Sequence, residues 1–157
     1  MKGIFSVLVE NQDGVLSQIS GLFARRGFNI DSLAVGETER HDISSMTIVS
    51  TGSQRVVDQI EKQLNKKPDV IKVRRFEENK CVLMEMMLIK VAYNASNRSS
   101  LIELCSVMNA KIKYVSAKSF VIEIHDSPDV ISNFIELVRS YGILEIQRTG
   151  TICMSKD

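Results

Sequence analysis

KGIFSVLVENQDGVLSQISGLFARRG, residues 2 to 27, changes its period once, and that change decides how the chain is read. KGIFSVLVE, residues 2 to 10, is β-branched and aromatic, as a strand is. From Gly14 onward Val15, Ile19 and Leu22 recur at helical spacing, with Leu16 and Phe23 beside them. Arg25 and Arg26 suit the negative end of the helix dipole, and Gly27 supplies a left-handed stop. Beyond it, FNIDSLAVGET (28 to 38) and DISSMTIVST (42 to 51) read as two strands around a charged turn. SQRVVDQIEKQLNKK (53 to 67) puts Val56, Val57, Ile60 and Leu64 on one helical stripe, and Pro68 ends it. VIKVRRFE (70 to 77) is a further strand, which makes the order βαββαβ, the ferredoxin-like signature.

After EENK at 77 to 80 the pattern starts again. CVLMEMMLIKVAY opens a strand, and NRSSLIELCSVMNA (97 to 110) a helix with Leu101, Leu104, Cys105 and Met108 aligned. KIKYVSA and SFVIEIHD follow as two strands, SPDVISNFIELVRSYG as a helix capped by Ser127 with Pro128 in its first turn, and ILEIQRTGTICMS as the last strand and tail. The expected fold is therefore α+β: two consecutive ferredoxin-like βαββαβ units, residues 1–77 and 78–157. Each is near the size at which a lone core is marginal, and such units usually share surfaces with partners.

Composition excludes several classes of function. Twenty Lys plus Arg against 19 Asp plus Glu leave no excess charge to hold a phosphate backbone or an anionic membrane. Arg26-Gly27-Phe28 begins like an RNA-recognition motif, but Asn29 breaks the match and no stacking platform follows. Cys81, Cys105 and Cys153 are odd in number, never spaced CxxC, and set in apolar runs, so they read as buried thiols in a reducing compartment. Residues 1 to 10 are interrupted too soon by Glu10 to be a secretory segment, and no apolar run reaches a membrane span. A cytoplasmic protein with neither a nucleic-acid nor a membrane partner is expected. Catalysis has little to work with: His41 lies in a charged turn, His125 at a strand end, and Glu37, Glu39, Glu77 and Glu78 in hydrophilic turns where charges are solvated. No spacing of ligands converges on a metal ion, and no glycine run would cradle a phosphate.

The segment around the first helix is different, because asparagines flank it at Asn11 and Asn29. Gly14 leaves the helix start uncovered, where the N–H groups of Gly14, Val15 and Leu16 and the helix dipole favour an anion. A small zwitterion could set its carboxylate there, with the amides of Asn11 and Asn29 on its ammonium or carboxylate. A purely structural reading stands beside this one: Asp13 caps the helix, Gly14 allows the turn, and Asn29 shapes the turn after it.

SVLVENQDGVLSQISGLFARRGFNIDSLAVGETE, then MTIV, then QIEKQLNKKPDVIKV, resembles the small regulatory subunit of acetolactate synthase, also called acetohydroxyacid synthase, densely over residues 4 to 76. The first unit resembles an ACT domain, a module that commonly binds amino acids between paired copies, and MLIKV at 87 to 91 also fits the family. The resemblance implies a valine pocket with Asn11, Gly14, Val15 and Leu16 on one side and Asn29 and Ile30 of a second protomer on the other. It implies a regulatory subunit of branched-chain amino-acid biosynthesis with no catalysis of its own. Residues 1–77 would bind the effector and form a homodimer; residues 78–157 would contact and activate a large catalytic subunit, a transferase, and the complex would be feedback-inhibited by valine. Thiamine diphosphate, FAD and magnesium would belong to that partner, and this chain would need no cofactor. A free-standing ACT-type amino-acid sensor acting on another target is the alternative. One methylene changes pocket affinity by only ~1 to 3 kcal/mol, so valine, leucine and isoleucine are not separable at this level.

Overall fold

In the computed structural model, which describes residues 1–157, the first unit runs β1 (Lys2–Glu10), α1 (Val15–Arg26), β2 (Ser32–Glu37), β3 (Ile43–Thr51), α2 (Gln54–Asn65) and β4 (Val70–Phe76). Its four strands form an antiparallel sheet in the order β2-β3-β1-β4. Alternation along β1 sends Phe5, Val7 and Val9 to one face, where they meet Val15, Ile19, Leu22 and Phe23 of α1 and Val57, Ile60 and Leu64 of α2. Val7 lies opposite Met46 on one side and Val73 on the other, so a single apolar row crosses the sheet beneath the helices. Ser53 starts α2, its Oγ accepting the Val56 N–H at 3.3 Å, and Arg75 ties that helix to β4 through Asp58 at 2.8 Å. The strand β2 has a neighbour on one side only, which leaves the backbone of its outer edge free to pair.

The second unit repeats the plan with β5 (Cys81–Ala92), α3 (Arg98–Val107), β6 (Lys111–Val115), β7 (Ser119–Asp126), α4 (Pro128–Val138) and β8 (Ile143–Arg148), in the strand order β6-β7-β5-β8. Met87, Ile89 and Val91 of β5 and Phe120, Ile122 and Ile124 of β7 face Leu101, Cys105, Ile131, Phe134 and Val138. Ser127 caps α4 by accepting the Val130 N–H, with Pro128 at the first position where its missing N–H costs nothing. Both units are thus the ferredoxin-like βαββαβ expected from the sequence.

The division between them differs from the expected one. The compact units are Met1–Val82 with Thr151–Asp157, and Leu83–Gly150. ILEIQRTGTICMS is not one strand with a tail but two strands, β8 and β9 (Ile152–Ser155), separated around Gly150, which takes a left-handed φ of 87°. Residues 151 to 157 then lie with the first unit. The Thr151 N–H donates to Ser32 Oγ at 2.8 Å, Cys153 Sγ lies 3.9 Å from Thr47 Oγ1, and the Lys156 N–H donates to the Lys80 carbonyl at 3.2 Å. Cys81 and Cys105 are buried as expected, whereas Cys153 is only half-buried; all three are free thiols. The second expected strand begins at Ser32 rather than Phe28. No helix is long and apolar enough to cross a membrane.

Candidate effector site

Asn11 follows β1 and is pinned to the turn between β2 and β3. Its backbone N–H donates to the Asp42 carbonyl at 2.9 Å, and its side-chain Nδ2 donates to the His41 carbonyl at 2.8 Å and to Glu37 Oε1 at 3.4 Å. That turn is itself braced by Glu37 with His41 at 2.9 Å and by the paired contacts of Arg40 with Asp42 at 3.2 and 2.7 Å. The Arg40 hydrogen bond holds the Asp42 carboxyl below its ordinary range. Glu37, expected to be merely solvated, therefore helps position a candidate site residue.

The start of α1 is open. Gly14 takes a left-handed φ of 83°, and a Cβ built on it would meet nothing within 4 Å. No side chain caps the helix and no acidic residue occupies its first turn, so Asp13 is not the cap that the structural reading required. The Val15 N–H reaches only a long 3.4 Å bond to the Gln12 carbonyl. The dipole's positive end is left uncompensated at an exposed surface, the condition under which a carboxylate binds. Val15 and Leu16 divide their roles: the Val15 side chain is buried in the core and offers only its backbone, whereas Leu16 is 45% exposed.

At the other end of α1, Gly27 is again left-handed and Phe28 packs edge-on against Phe23. Asn29 comes next. Its carbonyl accepts the Ser50 hydroxyl at 2.5 Å, its Nδ2 donates to Asp31 Oδ1 at 2.6 Å, and the side chain is exposed. Ile30 is half-buried against the first core. The six candidate residues thus fall into two groups, Asn11, Gly14, Val15 and Leu16 at the start of the helix and Asn29 and Ile30 after its end, with the helical residues 17 to 26 between them. At 1.5 Å per residue that helical stretch is about 15 Å long, too far for one molecule the size of a free amino acid to span. A single copy therefore does not bring the two groups together. Leu16 of α1 and Val35 of the edge strand β2 are each 45% exposed.

These groups suit recognition. His41 and His125 are each engaged with a neighbouring carboxylate, Glu37 and Glu123, and no three metal-binding side chains cluster. Burial raises the Cys105 thiol to about 11, so it is no thiolate nucleophile near neutrality.

Residues 5–72 match the family of AHAS small subunit-like ACT domains, and residues 84–157 match the family described as the small subunit of acetolactate synthase. A probable acetolactate synthase small subunit of Archaeoglobus fulgidus is 49% identical, over 98% of this chain and 96% of its own length. The acetolactate synthase small subunit of Mycolicibacterium smegmatis is 44% identical, over 96% of this chain and 89% of its own. The crystal structure of the small subunit from Thermotoga maritima superposes with a TM-score of 0.90 at 35% identity, covering 100% of this chain and 98% of that one.

Proposed function

The chain belongs to the family of acetolactate synthase small subunits, and from that premise we propose that it regulates a large catalytic subunit in branched-chain amino-acid biosynthesis, stimulating it and inhibiting it when valine binds. The chain has no turnover of its own; thiamine diphosphate, FAD and magnesium sit on the catalytic partner. The first unit binds the effector and pairs with its copy, and the second unit contacts the catalytic subunit.

The observation that supports a shared effector site is that the two candidate groups lie at opposite ends of α1. A two-fold axis beside the open edge of β2 sets two copies antiparallel, so the start of α1 in one faces Asn29 and Ile30 of the partner subunit. Two identical sites result. In each, the uncapped helix start takes the carboxylate, exposed amides take the remaining polar groups, and Leu16 with Ile30 meets the branched side chain.

Complementation tests this arrangement. Asn11→Ala and Asn29→Ala homodimers should both bind valine weakly. After subunit exchange, a mixed dimer has one site carrying both changes and one carrying neither, so about one quarter of all sites should recover full affinity. No recovery in calorimetry of the exchanged mixture would place both asparagines in one copy's pocket and sink the shared site. Purified chain that fails to raise the turnover of its matching catalytic subunit would sink the regulatory reading.

A further inference from the structure

Four consecutive residues join the second unit to the first, and three of them are held. In the second unit, Arg148 forms a paired contact with the buried Glu85 carboxylate, its Nη2 at 3.0 Å from Oε2. Thr149 is fastened to Met86 of β5: its N–H donates to the Met86 carbonyl at 3.0 Å, and its Oγ1 accepts the Met86 N–H at 3.1 Å. Thr151, already in the first unit, is buried and donates its N–H to Ser32 Oγ at 2.8 Å. Only Gly150 intervenes, in the left-handed region at φ 87°.

Ser32 is the first residue of β2 and follows directly on the segment that carries Asn29 and Ile30. That segment is fixed to β3 by Asn29 with Ser50 and by the Asp31 N–H on the Val49 carbonyl at 2.8 Å. Any displacement of residues 29 to 31 therefore acts on Ser32, and through it on Thr151. A coupling path needs stiff elements with few loose joints, and here one residue separates two hydrogen-bonded clamps.

We propose that the link Arg148-Thr149-Gly150-Thr151 transmits effector occupancy at Asn29 to the second unit, with Ser32 as its receiving contact. The inference rests on the effector reading above and assigns the regulation of that same site. The Ser32 to Thr151 hydrogen bond is the element with two states, made or broken, that occupancy at residues 29 and 30 biases. The other crossing, between Val82 and Leu83, lies inside the continuous strand β5.

Inserting two glycines after Gly150 slackens the link while leaving both clamps their partners. Ser32→Ala removes the receiving contact without changing chain length. Each variant, reconstituted with the catalytic subunit, is assayed for stimulation without valine, for valine binding by calorimetry, and for inhibition. The expected result is normal stimulation and normal binding with inhibition lost, the half-inhibiting valine concentration rising roughly fivefold or more, the lower end of ordinary allosteric coupling. Inhibition unchanged in both variants overturns the link. Binding lost together with inhibition overturns it too, by making residues 148 to 151 part of the pocket. If the unaltered chain binds no branched-chain amino acid, the effector reading fails first, and that result is distinguishable because it needs no variant.

Discussion

Ser50, fully buried on β3, donates its hydroxyl to the carbonyl oxygen of Asn29 at 2.5 Å. The backbone at Asn29 is therefore held from the sheet, while its side chain stays exposed and donates to Asp31. Asn29→Ala should leave thermal unfolding near that of the parent, because the backbone anchor survives. Valine binding should weaken by roughly 1.5 to 3 kcal/mol, the worth of a hydrogen bond to a charged group. A normal melt with unchanged inhibition of the complex would remove Asn29 from the site.

Gly14 and Asp13 give opposite forecasts at the start of α1. Gly14→Ala meets no atom but must hold φ near 83°, which costs an L-residue about 1 to 2 kcal/mol. Its methyl also enters the space an effector carboxylate would occupy, so affinity should fall as well. Asp13→Ala removes no cap and should stay within about 0.5 kcal/mol of the parent. Urea unfolding of both variants checks the pair; a large loss at Asp13 would restore it as the cap.

Acid should unfasten α2 from β4. The Arg75 hydrogen bond, and after it that of Gln54, holds the Asp58 carboxyl below its ordinary value. A carboxylate depressed in the folded state contributes stability above its unfolded pKa, about 4, and loses it as pH falls through the lower folded value. The stability gap between the parent and Asp58→Asn should be present at neutral pH and close below about pH 4. A gap that persists there in urea titrations would assign it to something other than charge.

Glu85 is buried and Arg148 partly exposed, so their pairing is shielded on one side only. Arg148→Met should cost about 1.5 to 3 kcal/mol, the range for hydrogen bonds to charged groups. Adding Glu85→Gln should return part of that loss by removing the charge left behind. Calorimetric melts of the two variants decide it; an additive double mutant would mean the residues are not energetically coupled.

Both βαββαβ units were legible because their cores follow the simple periods of strand and helix, as in Phe5, Val7 and Val9 against Ile19 and Leu22. Leu16 and Phe23 both border the Val15–Ile19–Leu22 face in the helical period, yet Phe23 is buried and Leu16 is not, because a helical stripe reports angle and not neighbour. The break between β8 and β9 left a signal in the polar run Gln147-Arg148-Thr149-Gly150-Thr151 between Ile146 and Ile152. The first stretch of FNIDSLAVGET failed as strand because Asn29 and Asp31 bond each other in a local turn that competes with pairing. For the candidate site, residue types at the helix start carried the chemistry. Their division between two protomers came only from the family resemblance, since a lone sequence carries no distance between copies. Ser32 and Thr151 drew no notice, being small hydroxyl residues more than a hundred positions apart whose meeting depends on the whole topology.

The discontinuity of the first unit sets an order on its birth. A ribosome delivers residues 1 to 82 first, and at ~5–20 residues per second the intervening residues 83 to 150 take on the order of 3 to 14 s to follow. Throughout that interval the nascent first unit has its helices and four strands, but Ser32 and Thr47 still lack the segment that later lies against them. Its folding closes only once the second unit has been synthesised, so a translational stall or a misfolding lesion between residues 83 and 150 leaves the first unit unfinished as well.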